Sequence, residues 1–138
     1  MSRWMGVALT CAILAACGGS PNAPNQPGVN ITGLQVQIQN NSDGSHDYSV
    51  TYTVHNGGPA DAMLTGIDAL LTAKGSQVEA FSVGFGSGRP APASQFVAPT
   101  VTTFTTPAGI PLADSFTLTV HYTAGDGEQT VSRTTPLG

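Results

Sequence analysis

Charge is scarce in this sequence. Only 9% of its 138 residues are Asp, Glu, Lys or Arg, and four of these are Lys or Arg. The formal net charge of −4 leaves no basic stripe, which excludes nucleic acid as a partner. Thr, Ser, Gly and Pro are abundant instead. This composition is typical of a single secreted, β-rich domain with many turns and not of a helical cytosolic enzyme.

Long apolar runs are absent as well. An uncharged run of thirteen residues, Trp4 to Ala16, follows the positive charge of Arg3. A membrane-spanning helix needs about 20 apolar residues, so this run is too short for a permanent span but long enough for the hydrophobic region of an export signal. Every later apolar segment alternates with Thr, Ser or Gln. We therefore predict a signal peptide at residues 1–16.

Cysteine is nearly absent, with only Cys11 and Cys17 present. Cys11 lies inside the predicted signal peptide, so Cys17 is the single cysteine of the mature chain and no disulfide can form within it. The leader ends in Leu14-Ala15-Ala16-Cys17. This segment resembles the lipobox of bacterial lipoproteins, which has Leu three residues before the cysteine and small residues between them.

The lipoprotein resemblance implies how the chain is processed and where it resides. In that class a dedicated signal peptidase cuts before the cysteine, whose thiol carries a diacylglycerol, and the new N-terminus commonly receives a further chain such as palmitate. Two or three acyl chains anchor a protein stably, whereas one binds only marginally. Cys17 is thus the expected lipidation site in the cell envelope. Gly18, where Asp would favour the inner membrane, favours the outer membrane in a host with two membranes. The alternative is an ordinary secretory signal with an incidental cysteine.

The segment after the cysteine predicts a flexible linker. Residues 18–29, GGSPNAPNQPGV, contain Pro21, Pro24 and Pro27 and almost nothing apolar. At about 3.1 Å per residue in polyproline-like stretches, such a segment reaches at most roughly 35 to 40 Å. We expect a signal peptide at 1–16, a lipidated cysteine and linker at 17–29, and one domain at 30–138 that stands off the bilayer.

Residues from Asn30 onward alternate with a period of two, which indicates strands with one apolar and one polar face. The clearest apolar positions are Leu34, Val36 and Ile38; Tyr48, Val50, Tyr52 and Val54; and Phe116, Leu118, Val120 and Tyr122. Turn clusters separate them at NNSDGS, residues 40–45, and at AGDGEQ, residues 124–129. A last strand is predicted around Gln129 to Thr135.

The middle of the chain is less regular. A strand is predicted at 77–85, ahead of a long GSGRPAPAS loop at 86–94, and Pro99 restricts 95–105 to an edge strand or two short pieces. Residues 59–74 fit both a short helix, through Met63, Leu64, Ile67, Leu70 and Leu71, and a strand. The strand is favoured, because strands surround the segment and several of its residues are poor helix formers.

About seven short strands predict an all-β, antiparallel sandwich of two sheets. The stretch VTYTVHNGGPADA, residues 50–62, resembles the strand and Asn-Gly corner of bacterial immunoglobulin-like modules of the CARDB and fibronectin III kind. The resemblance implies an immunoglobulin-like sandwich. The only tryptophan is Trp4 and no cysteine pair is available, so an antibody-type core is excluded.

The candidate metal ligands do not form a convincing set. His55 and His121 fall on the polar faces of their strands, and His46 follows a turn, so we interpret all three as solvated. Residues 41–47, NSDGSHD, offer Asp43 and Asp47 to a calcium ion, but a hairpin turn explains the same residues. No metal site and no cofactor is predicted.

Candidate catalytic residues are equally sparse. GFGSG, residues 84–88, is followed by prolines and not by the helix N-terminus that a phosphate-binding loop requires. The chain contains no Gly-x-Ser-x-Gly elbow, and no two carboxylates share a predicted face. We therefore predict that the protein is not an enzyme.

Two functions of different kinds remain. The favoured one is a lipid-anchored cell-envelope module, without catalysis, that binds a protein or polysaccharide partner or has a structural role. Loops on a rigid scaffold usually carry recognition, which here singles out residues 40–47, 55–62 and 86–94. The alternative is a small lipid-anchored metal-binding protein or hydrolase that uses loop residues.

Overall fold

The computed structural model describes residues 28–124 and 127–137. These residues form seven strands. They are β1 (Val29–Asn40), β2 (His46–Asn56), β3 (Ala62–Ala73), β4 (Ser76–Ala91), β5 (Gln95–Thr106), β6 (Ser115–Ala124) and β7 (Gly127–Pro136). The predicted signal peptide, Cys17 and the linker up to residue 27 lie outside the described residues. Within the described ranges, no helix has the length and apolar character needed to cross a membrane.

The strands form two antiparallel sheets that face each other. One has three strands in the order β1-β2-β5, and the other has four in the order β4-β3-β6-β7. Strand β4 returns beside β3 through a two-residue turn in which Lys74 and Gly75 have φ of 51° and 82°, as a type I′ hairpin requires. Strand β4 therefore lies in the same sheet as β3. In an immunoglobulin constant domain, by contrast, the fourth strand lies in the opposite sheet. The predicted all-β, antiparallel sandwich of about seven strands is confirmed.

Alternate residues of the central strands build the core. The inward side chains of β2 and β6 are the predicted apolar positions: Tyr48, Val50, Tyr52 and Val54, and Phe116, Leu118, Val120 and Tyr122, all buried. The Tyr48 hydroxyl accepts a hydrogen bond from the Ala113 N–H at 3.1 Å. This contact holds the crossover between the two sheets, residues 107–114, against the core.

Strand β3 covers the segment for which a helix was the alternative, so the short helix considered at residues 59–74 is wrong. A β-bulge between Leu64 and Gly66 shifts the pairing of β3 with both of its neighbours. The bulge places two inward residues, Leu64 and Ile67, three positions apart, and Leu71 follows four positions later. These intervals match helical spacing, which explains why the sequence fits both structures.

The predicted loop at 86–94 is wrong for its first six residues, because strand β4 continues to Ala91. Gly86 and Gly88 have φ of 62° and 101° and form a large bulge between the Gly66–Gly84 and Leu64–Arg89 pairs. The turn that remains is residues 92–94. Strand β5 lies at the edge of its sheet, as Pro99 predicts.

The two ends of the fold compare differently with the prediction. Val29 is only 5% exposed, so the last residue of the predicted linker belongs to the core. Strands β6 and β7 pair up to Ala124 and Gly127, as expected for a hairpin. Residues 125–126 of the predicted turn at 124–129 lie outside the described residues.

Candidate functional site

The acidic turn at residues 41–47 uses its polar groups within the fold. Asp43 Oδ1 accepts hydrogen bonds from the Ser45 hydroxyl at 2.6 Å and the Ser45 N–H at 2.9 Å, and these bonds lower the pKa of the Asp43 carboxyl. Asp47 Oδ1 instead accepts from the Thr105 hydroxyl at 2.7 Å. The two carboxylates proposed for calcium thus serve different partners. The turn is therefore structural.

Asn56 is the structural centre of the loop at residues 55–62. Its side chain is fully buried, and its Oδ1 accepts from the Gly28 N–H at 3.0 Å and the Gly58 N–H at 3.1 Å. Its Nδ2 donates to the carbonyls of Ala60 and Ala91, both at 2.8 Å. One amide therefore joins the start of the domain, the loop itself and the end of β4. We call these four bonds the Asn56 clamp.

Two further aspartates fasten neighbouring loops. Asp61 accepts from the Ala93 N–H at 2.9 Å, which ties the turn at 92–94 to the loop before β3. Asp114 accepts from the Lys74 N–H at 2.9 Å, which ties the crossover to the β3–β4 turn. The loops expected to carry recognition are thus held by their own polar side chains. The outward faces of the sheets remain as candidate surfaces.

The histidines predicted to face solvent lie on separate surfaces. His55 belongs to β2 and His121 to β6, so they are on the outer faces of opposite sheets. His46 Nδ1 donates to Asn40 Oδ1 at 2.8 Å. In the part of the chain that the structure describes, no three His, Cys, Asp or Glu side chains are arranged to hold a metal ion.

The four-stranded sheet carries a polar cluster that the sequence did not reveal. His121 Nε2 donates to Asp68 Oδ2 at 2.7 Å, and His121 Nδ1 lies 3.8 Å from Glu128 Oε2. Asp68 Oδ1 also accepts from the Ser82 hydroxyl at 2.7 Å. These hydrogen bonds, chiefly that of His121, lower the pKa of the Asp68 carboxyl.

The order of groups in this cluster decides what it can do. Asp68 lies between Ser82 and His121, so the serine hydroxyl is bonded to a carboxylate and not to the imidazole base that would activate it as a nucleophile. A depression of about 300 Å³ lies beside the cluster, where Gly66 and Gly84 pair across β3 and β4. The hydrogen bonds of Asp68 thus join β3, β4 and β6.

The three-stranded sheet carries a more open depression on its outer face. This groove has a volume of about 440 Å³. Its lining is Gly33, Leu34, Gln35, Thr51, Thr53 and Pro99, none of which ionises. Gln35 pairs with Thr51 and Thr51 pairs with Val101, so three outward side chains form a row across the sheet. A β-bulge between Ile31 and Gly33 lies at one end of the groove.

Two large apolar side chains stand beside this groove on the edge strand β5. Phe96 and Val101 are each 65% exposed. The Phe96 ring lies against the His55 imidazole, with ring centroids 4.2 Å apart, so the phenyl group is supported from the sheet. We call the residues concerned the groove face: Gly33, Gln35, Thr51, Thr53, Phe96, Pro99 and Val101.

Many polar side chains of the outer faces are paired with one another, on the three-stranded sheet as well, where Ser49 bonds Thr103 at 3.3 Å and Thr105 bonds Asp47 at 2.7 Å. On the four-stranded sheet, hydroxyls bond one another across β6 and β7: Thr117 with Thr134 and Thr119 with Ser132, both at 2.7 Å. Among the described residues, the side chains of Gln35, Thr51 and Thr53 form no such pair. They leave amide and hydroxyl groups available to a ligand.

Known proteins resemble this chain in structure. No protein-family model matches it, and no curated protein is similar to it. A target of the Northeast Structural Genomics Consortium has 14% identity and a TM-score of 0.59, over 79% of this chain and 83% of its own. The putative ApaA protein from Bordetella pertussis has 14% identity and a TM-score of 0.52, over 86% of this chain and 93% of its own. The likeness shows the fold alone.

A third similar structure is part of a larger enzyme. A β-glucuronidase from glycoside hydrolase family 2 has 16% identity and a TM-score of 0.51, over 77% of this chain but only 11% of the enzyme. The similarity is therefore to one sandwich-sized portion of that protein, and it again concerns the fold.

The polar cluster on the four-stranded sheet could not be found from the sequence, because it depends on strand pairing. Asp68, His121 and Glu128 come from three strands, and they meet only because of the pairing registers of β3 with β6 and of β6 with β7. The alternation did place His121 on a polar face.

Proposed function

We propose that this chain is a lipid-anchored cell-envelope protein whose sandwich binds a ligand through the groove face, without catalysis. One observation carries the proposal: available amide and hydroxyl groups lie beside two well-exposed apolar side chains, Phe96 and Val101. Exposed apolar groups next to unpaired polar groups are what a binding surface needs. The internally bonded loops favour this face over the loop tips as the contact surface.

The proposed anchor rests on the lipobox at residues 14–17. Cysteine in that motif implies a diacylglycerol, and the proline-spaced segment after it supports a domain held away from the bilayer. An anchored protein meets envelope components at high local concentration, so that even weak binding to a polymer with many sites is effective. The outer membrane is the proposed location in a host with two membranes.

The anchor is tested by Cys17→Ser, with Cys11→Ser as the matched control. Expression in a bacterial host with both membranes should give a lipid-modified mature protein in the membrane fraction from the wild type and from Cys11→Ser. The Cys17→Ser chain should remain uncut and lack the lipid mass. Membrane association and mass unchanged by Cys17→Ser would refute the anchor.

The binding surface is tested by co-sedimentation of the detergent-solubilised full-length protein with insoluble envelope material from the same host. Phe96→Ala and Thr51→Val should reduce the bound fraction, since they remove an apolar contact and a hydroxyl of the groove face. Leu112→Ala removes another exposed apolar side chain, and Thr130→Val another outward hydroxyl, both away from that face. Equal binding by all four variants would refute the proposed surface.

A further inference from the structure

We infer that the groove face binds an uncharged polysaccharide, an inference that rests on the binding function proposed above. The lining of the groove determines the charge of the ligand. Its polar side chains, Gln35, Thr51 and Thr53, are amides and hydroxyls, and none ionises. A charged ligand group would lose water there without gaining a counter-charge, which is costly. The ligand is therefore neutral.

The same side chains match the hydrogen-bonding pattern of sugars. An amide offers two donors and a carbonyl acceptor, and each threonine hydroxyl both donates and accepts. Sugar hydroxyls also donate and accept at every position around the ring. A groove with both kinds of group available fits such a ligand better than one that presents only donors or only acceptors.

The apolar side chains account for the other half of a sugar's surface. A pyranose ring has polar groups at its rim and C–H bonds on its faces, so one face packs against apolar side chains while the rim forms hydrogen bonds. Phe96, supported by His55, offers a flat surface of this kind, and Pro99 and Val101 extend it along β5. Polar and apolar elements thus lie side by side, as the ligand requires.

The dimensions of the sheet favour a chain over a single sugar. The apolar side chains lie along β5: Phe96 pairs with His55 and Val101 with Thr51, four residues apart on β2. At about 3.4 Å per residue these two pairs are about 14 Å apart, roughly the length of three pyranose residues in an extended polysaccharide. A polymer that meets both Phe96 and Val101 therefore runs along the strands, and three sugars cover the groove face.

The charges of the rest of the domain agree with a neutral ligand. The formal net charge of −4 repels acidic polymers. The described part of the chain has three cationic side chains: Arg133 donates to the Ile31 carbonyl at 2.9 Å, Arg89 bonds the Thr100 hydroxyl, and Lys74 lies in the β3–β4 turn. None of them lines the groove.

The experiment measures binding of the detergent-solubilised full-length protein to insoluble glycans. The uncharged probes are cellulose, chitin and granular starch, and the charged control is insoluble polygalacturonate. We expect retention on at least one uncharged glycan and none on polygalacturonate. Retention should be the same at low and high salt, because no charge pair contributes. Soluble fragments of the retained glycan should compete better with length up to three sugars and no better beyond.

Variants connect the binding to the groove face. Phe96→Ala should weaken glycan binding by about tenfold, a loss of about 1.4 kcal/mol. Thr51→Val should weaken it severalfold, whereas Leu112→Ala and Thr130→Val should bind as the wild type does. Loss of binding in the two control variants as well would overturn the inference.

The outcomes separate this inference from the function on which it rests. If no uncharged glycan is retained while Phe96→Ala still loses binding to envelope material, the glycan inference fails and the proposed function stands. The glycan inference also fails, and the proposed function stands, if the protein is retained only on polygalacturonate or if its groove face binds an envelope protein instead. If Phe96→Ala and Thr51→Val bind both glycan and envelope material as the wild type does, both proposals fail.

Discussion

The Asn56 clamp leads to the sharpest stability prediction. Replacing Asn56 with Ala removes four hydrogen bonds, of which those to the Gly58 N–H and the Ala91 carbonyl are buried. A buried group left without a partner costs about 1–3 kcal/mol, while the half-exposed Gly28 N–H and Ala60 carbonyl can turn to water. We expect Asn56→Ala to lower the free energy of unfolding by about 3–5 kcal/mol, a large part of the 5–15 kcal/mol typical of a domain.

The substitution Asn56→Asp tests the same clamp through the pH dependence of the stability that is lost. Aspartate keeps the oxygen that accepts from Gly28 and Gly58 but turns a carboxylate oxygen toward the Ala60 and Ala91 carbonyls. Burial without a counter-charge raises the pKa of the new carboxyl above its unfolded value of about 3.9. The destabilisation is therefore full at neutral pH and is relieved as the pH falls and the carboxyl becomes a donor.

Urea unfolding of the unlipidated mature chain, followed by far-ultraviolet circular dichroism, measures these effects. Asn30 is the matched control, since its exposed Nδ2 donates a hydrogen bond to the Gly28 carbonyl at 3.4 Å. Asn30→Ala should change the stability by less than about 0.5 kcal/mol. The clamp would be refuted if Asn56→Ala cost no more than Asn30→Ala, or if Asn56→Asp lost stability on acidification.

The outer face of the four-stranded sheet provides two more predictions. Hydrogen bonds from His121 and Ser82 lower the pKa of Asp68 in the folded protein. The contribution of Asp68 to stability is therefore present above about pH 4 and is lost as the pH falls through its folded-state pKa. Asp68→Asn should reduce the loss of stability in acid, as measured by urea unfolding. Gly66→Ala places a Cβ 2.7 Å from the Val83 carbonyl oxygen and should lower the free energy of unfolding by about 1–3 kcal/mol, measured by thermal unfolding. Gly84→Ala, whose Cβ meets open space, should lower it less. Equal losses in the two variants would contradict the close approach at Gly66.

The fold was predictable where alternation was clean. Strands β2 and β6 repeat apolar and hydroxyl residues without interruption, so their inward faces could be read directly from the sequence. Strand β3 could not be read in the same way, since its bulge adds one residue and changes the phase between Leu64 and Ile67. Likewise, the glycines that extend β4 through its bulge look like loop residues in the sequence.

The candidate site was less predictable, because it depends on pairing between distant strands. Gln35 and Val101 meet Thr51 only through two registers that the sequence does not specify. Asn56 shows the opposite limit: an Asn-Gly pair predicts a corner, but the four partners of its side chain depend on how the loop folds back on Gly28 and Ala91. Local patterns therefore identify the faces of strands, while tertiary pairing determines which side chains meet.

The position of the clamp also bears on how the protein withstands pulling. Under the proposed anchoring and polymer binding, the protein is under tension, which enters the domain at Gly28. There the Asn56 side chain and the Gly57 N–H, at 2.9 Å from the Gly28 carbonyl, resist the pull together. Only four residues of backbone separate Gly28 from Gly33 at the groove. Under that proposal the force passes from tether to ligand mainly through one end of β1 and β2, and the Asn56 clamp shares part of it with the end of β4 through the Ala91 carbonyl.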